Sequence, residues 1–363
     1  MVANLTTRLG QLTSSPAGGP YVGKNRIING NTAIDQYLSG GTIVPSATSA
    51  NVYIIDRWAA FISQASKVTF GQNYGAVTPP VGFSNYLGAK VTTTISLGAN
   101  DFSLIDQRIE GYNIADLNWG SANAKSVTLS FWAYSSATGS FGGAIRNSAQ
   151  NRSYAFTYSI PVANTWTYAT ITIPGDTSGT WLTTNGVGMD LMFSLGMGTT
   201  YSTTASVWTA GNFASATGAV NLLGTLNATF YITGVQLEAG TIATPYEFNQ
   251  YQAQLAQCQR YFQTYIDPPF TGVFSSATLA NRCSMPLIVT MRATPTYVIG
   301  SGTTRLYDGS ATGAVTGVAA SYLSNQRAQF DFNASGGGFT TGRPAICWAD
   351  VTNNAVWQFT AEL

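Results

Sequence analysis

Between residues 66 and 245 apolar and polar positions alternate with period two, in short runs. Val127, Leu129 and Phe131 oppose Thr128 and Ser130. Tyr154, Phe156, Tyr158 and Ile160 alternate with Ala155, Thr157 and Ser159, and Ala169, Ile171 and Ile173 with Tyr168, Thr170 and Thr172. Further runs lie at 189–195 and 229–237. Period two marks strands buried on one face. Turns rich in Gly, Asn, Ser and Thr separate the runs, and no helical period interrupts them, which excludes βαβ units. The pattern predicts a jelly-roll β-sandwich over residues 25–245. In the last run the apolar parity changes, from Phe230 and Ile232 to Val235 and Leu237. A β-bulge at Gly234 accounts for that change.

Thr244-Pro245 ends the run. Thr244 as cap, Pro245 at the first helical position and Glu247 three residues after Thr244 form a capping-box pattern. Phe248, Tyr251, Leu255, Cys258, Phe262 and Tyr265 then recur at spacings of three and four. The spacing predicts one connecting helix over 246–265 with a single apolar stripe. That stripe packs either against the chain's own sandwich or in a trimeric bundle on a symmetry axis, since so short a seam is not stable alone. Asp267-Pro268-Pro269 ends the helix, and strands are expected again at Pro286–Met291, Thr296–Ile299, Gln329–Phe332, Ala345–Trp348 and Ala355–Leu363. The expected class is therefore all-β, with a jelly-roll β-sandwich, one connecting helix and a second, smaller β-sandwich over 266–363. Residues 1–24, with Pro16, Gly18, Gly19, Pro20 and Gly23, read as an extended N-terminal arm, either a loose terminus or an attachment peptide.

Composition narrows the setting. Charged residues are 9% of the chain, against roughly 25% in ordinary soluble proteins. Aromatics at 12% rule out a disordered chain. So few charges suit a protein of a particle or of the extracellular space. The net charge is +1 with no run of Lys or Arg, so no nucleic-acid partner is expected. No apolar stretch is long enough to span a membrane. The first residues lack the apolar core of a signal peptide, which fits release by cell lysis. Cys258, Cys283 and Cys347 share no metal-ligand spacing, their odd number excludes full pairing, and they read as buried small apolar residues.

The chain has no histidine, which removes His-based triads, His-ligated zinc and the usual base near neutral pH. Walker, dinucleotide and EF-hand fingerprints are missing too, and no cofactor or metal is expected. Carboxylate pairs are the open catalytic route, because glycoside cleavage needs only two of them. Asp101, Asp106, Glu110 and Asp116 lie close in sequence, with Asp106 and Glu110 flanking Arg108. They read as a solvated, turn-rich segment with ion pairs, as a glycosidase pair, or as hard oxygen ligands for calcium. Asp56-Arg57-Trp58 reads as a structural clamp at a strand start. Sugar rings stack on exposed Trp and Tyr. Trp132 and Tyr134 have the parity that leaves the core face, and Trp181 and Trp208 lie in Gly/Thr/Ser-rich stretches. These four are the candidate glycan-binding residues, the other reading of each being core or interface.

Gly234-Val235-Gln236-Leu237-Glu238-Ala239-Gly240, then Ala243-Thr244-Pro245-Tyr246-Glu247, then Cys258-Gln259-Arg260-Tyr261-Phe262 resembles a signature of tailed-bacteriophage virion proteins. Such proteins are labelled tail fibre, head fibre or minor structural protein. Asn25 to Gln36 with Asp56-Arg57-Trp58 resembles the opening of the same module, and Met291 to Thr296 with Phe359 to Leu363 its C-terminal domain. Tyr37-Leu38-Ser39-Gly40 departs from the usual pattern, so the first loop differs. The resemblance implies a galactose-binding-like, carbohydrate-binding-module-like jelly roll, a place on the virion exterior, often a homotrimer, and no catalytic residues. The expected function is a non-enzymatic tail or head fibre. Its arm over 1–24 attaches to other virion proteins and its β-domains meet host-surface polysaccharide. The alternatives are a glycan depolymerase and an architectural collar or decoration protein.

Overall fold

The computed structural model describes residues 23–266, 268–336, 338–349 and 355–363. The expected arm therefore lies outside the described residues except for Gly23 and Lys24. The chain forms two compact units, dividing between Gln250 and Tyr251.

The first unit is a sandwich of two antiparallel sheets. The six-stranded sheet has the spatial order Thr42–Ile43, Val68–Gln72, Leu87–Val91, Thr229–Ala239, Val127–Ser135, Thr167–Ile173. The seven-stranded sheet runs Trp208–Ala210, Arg152–Ile160, Gly139–Arg146, Val187–Met197, Phe102–Glu110, Trp58–Ile62, Asn51–Ile55. The period-two runs fall on these strands, and the all-β jelly-roll class is as expected. Inward residues of the two sheets interdigitate: Phe131 of one meets Phe193 of the other edge-on, with ring centroids 5.0 Å apart. Each such buried side chain contributes about 1.5–3 kcal/mol.

The bulge is present. Thr233 pairs with Trp132 and Gln236 with Ser130, so Gly234 and Val235 together oppose Phe131. Gly234 has φ +63°, which a glycine adopts without strain. The extra residue keeps Phe230, Ile232, Val235 and Leu237 all in the core.

The signature around the bulge ties the strand to residues 23–30. The Asn25 carboxamide oxygen accepts from the Leu237 and Ile27 amides, both at 3.0 Å, and its nitrogen donates to the Val235 carbonyl at 3.1 Å. Glu247 accepts from the Gly23 and Asn25 amides at 2.5 and 2.8 Å. Gln236 accepts from the Glu247 amide and donates to Glu238, which in turn accepts from the Thr244 amide and hydroxyl. Asp56-Arg57-Trp58 is a clamp as expected. The Trp58 indole donates to the Asn29 carbonyl at 2.9 Å, and Asp56 accepts from the Gln36 amide at 2.6 Å.

These bonds correct the expected helix. Thr244 and Glu247 are engaged with Glu238 and with residues 23–25, so the capping box does not form. The helix spans only Tyr251–Gln259. Phe248 precedes it and packs on Phe83 and Tyr246, at 5.3 and 4.8 Å. Phe262 and Tyr265 belong to the following strand, Phe262–Tyr265. Within the helix Cys258 is buried, Leu255 is half-buried and Tyr251 is 60% exposed. The apparent stripe is thus drawn from three different elements and is not the stripe of one helix.

In the second unit six strands close into an antiparallel barrel: Thr271–Phe274, Leu279–Pro286, Arg327–Ala334, Thr312–Leu323, Thr304–Tyr307 and Pro344–Ala349. A three-stranded sheet of Phe262–Tyr265, Trp357–Thr360 and Thr296–Ile299 completes it. The strand expected at Pro286–Met291 lies earlier, at Leu279–Pro286. Residues 287–291 form the segment whose Ile288 amide donates to Gln263 at 3.0 Å. Phe270, Phe330, Phe332 and Trp357 centre this core. All three cysteines are buried, matching the sequence reading.

Candidate functional site

The bulge also shapes a groove on the outer face of the six-stranded sheet. Val127–Ser135 turns Val127, Leu129, Phe131 and Ala133 inward, which sends Ser130 and Trp132 outward. Trp132 pairs directly with Tyr168 on the neighbouring strand, and their rings lie 5.2 Å apart. Across from them stand Phe83, Tyr246 and Phe248, in mutual contact at 4.8–5.3 Å. Gly234 forms part of the floor, and a Cβ there would sit 2.6 Å from the Phe83 ring. The groove has a volume of ≈ 260 Å³ and is lined by Val81, Gly82, Phe83, Ser130, Trp132, Tyr168, Gly234, Pro245, Tyr246 and Phe248. No carboxylate, ammonium or guanidinium is among these residues. Tyr168 is 45% and Phe248 57% exposed, while Trp132 is half-buried.

The four expected glycan-binding residues fare differently. Trp132 lines the groove. Tyr134 also points outward, but it stacks on Tyr231 at 5.1 Å and meets Trp166 at 5.4 Å in an adjoining aromatic cluster. Trp181 is only 6% exposed and stands edge-on to Trp119 at 4.7 Å, so it has no ring face to offer. Trp208 is a strand residue, half-buried, with its indole donating to the Pro174 carbonyl at 2.8 Å. Trp119 and Trp181 pack edge-on against it, and the Arg152 guanidinium lies 5.9 Å from its ring centroid. The loop reading from the glycine-rich flanks holds for Trp181, which lies outside any strand, and fails for Trp208, and both rings pack against the core. Phe83, Tyr168 and Tyr246 were not singled out from the sequence. Tyr168 could have been, since it sits on the polar parity of its own run.

The carboxylates separate. Asp101 accepts from Ser63, Gln64 and the Gly98 amide and clamps a loop. Asp116 pairs with Arg26 at 2.7 Å. Asp106 and Glu110 are both buried on one strand, Phe102–Glu110, rather than in a solvated turn. Four residues along a strand span about 13 Å, beyond the roughly 5–9.5 Å separations of glycosidase pairs. Buried side chains on backbone positions this far apart are a poor arrangement for glycoside cleavage by that pair. Burial, with the nearby Asp190 carboxylate, pushes the Asp106 carboxyl up to about 8. Among the described residues no group of three or more Cys, Asp or Glu is placed to hold a metal ion.

No family model matches the chain, and no curated protein matches it. Some solved structures are similar over part of the chain. One is the enzymatically active domain of bacteriophage CBA120 tailspike protein 4, 14% identical with a TM-score of 0.33, matched over 60% of this chain and 22% of that one. Another is TmCBM61 in complex with beta-1,4-galactotriose, 8% identical with a TM-score of 0.29, over 60% of this chain and 99% of that one. A third is the family 11 carbohydrate-binding module from Clostridium thermocellum in complex with a beta-1,3-1,4-mixed-linked tetrasaccharide, 12% identical with a TM-score of 0.27, over 55% and 100%.

Proposed function

We propose that the first unit binds neutral glycans in the groove on its six-stranded sheet, and that the chain does so as a non-enzymatic, outward-facing component of a tailed-phage particle. The observation that carries the binding claim is the uncharged aromatic groove, with Trp132 and Tyr168 on one side and Phe248 opposite. A pyranose presents its C–H-rich face to such rings and keeps its hydroxyls for Ser130, backbone groups and water. The particle claim is supported by the sequence signature and by the low charge. In this reading the homotrimer implied by the resemblance is held by surfaces other than the helix, and other virion proteins meet the N-terminal arm. Titration with bacterial capsular and O-chain polysaccharide fragments tests the binding claim. Retention that is lost on Trp132→Ala supports it, and a blank panel favours an architectural decoration protein.

A further inference from the structure

The outer face of the other sheet holds a second cavity, of ≈ 230 Å³, lined by residues of the first unit alone. Its aromatic wall is Phe61 stacked on Phe102 at 4.9 Å, with Tyr201 edge-on to Phe102 at 5.5 Å. Tyr201 is carried by a covering segment that folds back over the sheet. The Gly198 amide donates to the Asp101 carbonyl at 2.7 Å, the Ala214 amide to the Tyr201 carbonyl at 2.8 Å, and Ser202–Thr203 pairs in parallel with Ser215–Ala216.

The polar side of the cavity is fixed. Arg146 is buried and ion-paired with buried Asp190 at 2.7 Å. Its other terminal nitrogen donates to Asn212, whose amide donates to Gln150 at 3.1 Å. Ser49, Gln150 and Tyr201 also line the cavity. Ser49 and Gln150 are exposed and Tyr201 is half-buried, so their polar groups stand at the cavity's mouth. A buried ion pair adds little stability over an apolar pair of similar size. Here it orients two carboxamides beside an aromatic wall and leaves the site without net charge.

We infer that this cavity is a second, separate site, taking a single neutral hexose-type sugar residue between the Phe102–Tyr201 wall and the Gln150–Asn212 amides. The cavity's ≈ 230 Å³ accommodates about one sugar residue. The pairing of Arg146 with Asp190 disfavours an acidic sugar, because no unneutralised cation lines the site. The inference is independent of the groove at Trp132.

Saturation-transfer NMR on the full chain tests it, with galactose, glucose, mannose, N-acetylglucosamine and glucuronic acid as probes, each at about 10 mM, which reveals millimolar affinities. The expected result is transfer to at least one neutral sugar, weakened tenfold or more by Asn212→Ala. Tyr201→Phe, which keeps the ring and loses only the hydroxyl, is expected to weaken it several-fold. The same signal persists in Trp132→Ala. Transfer that is lost in Trp132→Ala and kept in Asn212→Ala assigns the binding to the groove and overturns the inference. Transfer to glucuronic acid alone, or to none of the five, also overturns it.

Discussion

Trp132 and Tyr168 are direct partners across an antiparallel ladder, and their side chains meet at 5.2 Å on the solvent side of the sheet. A cross-strand aromatic pair contributes roughly 0.2–1 kcal/mol to a sheet, far less than a core phenylalanine. Tyr168→Ala is therefore expected to change the unfolding free energy of the first unit by about 1 kcal/mol or less. The same substitution removes half of the stacking platform and is expected to weaken glycan binding by about tenfold. Denaturant melts and a binding titration on one sample separate the two effects.

Gly234 links the bulge to the groove. An alanine there would hold φ +63°, which costs a non-glycine residue about 1–2 kcal/mol, and its Cβ would press on Phe83. Phe83 must then move away from Tyr246 and Phe248. Gly234→Ala is expected both to destabilise the unit and to weaken glycan binding, whereas Gly218→Ala, with open space around it, affects stability alone. Equal binding by both variants would show that Phe83 does not shape the groove.

The ties between residues 23–30 and the bulged strand set much of the stability of this edge. Asn25→Ala removes three hydrogen bonds, and the amides of Ile27 and Leu237 lose their acceptor. At about 0.5–1.5 kcal/mol per bond, a loss of roughly 2–4 kcal/mol is expected in urea melts.

Asp106 gives the first unit a pH dependence of definite sign. Its folded carboxyl titrates near 8, raised by burial and by Asp190, whereas an unfolded aspartate titrates near 3.9. Between about pH 4 and pH 8 the folded chain keeps a proton that the unfolded chain has released, so stability falls as pH rises. Asp56, raised by burial to about 6, adds in the same direction over the lower part of that window. Urea midpoints are expected to drop between about pH 6 and pH 8. Asp106→Asn is expected to flatten that drop, and an unchanged slope would assign it to another group.

Much of the fold was legible because its cause is local. Val127, Leu129 and Phe131, or Tyr154 to Ile160, show their buried face in the sequence itself, and the parity change at Gly234 is the bulge. The helix was legible in its place, between the two β-regions, but not in its extent. The spacing of Phe248, Tyr251, Leu255, Cys258, Phe262 and Tyr265 is helical, but Phe248 is claimed by Phe83, and Phe262 by its pairing with Thr360. Such long-range contacts override a local period. The site was half legible for the same reason. Parity sends Trp132 outward, but only the folded chain brings Phe83 and Phe248, 165 residues apart in sequence, to the opposite wall. Charge misled at Asp106, since three ionisable residues in Phe102–Glu110 read as solvated while the strand is mostly buried.

Isothermal titration of the full chain with a neutral bacterial polysaccharide fragment, on the native protein and on Trp132→Ala and Trp208→Ala, tests the central claim most directly. The groove account predicts binding by the native protein, a loss of tenfold or more in Trp132→Ala, and little change in Trp208→Ala. Equal binding by the native protein and Trp132→Ala would contradict it.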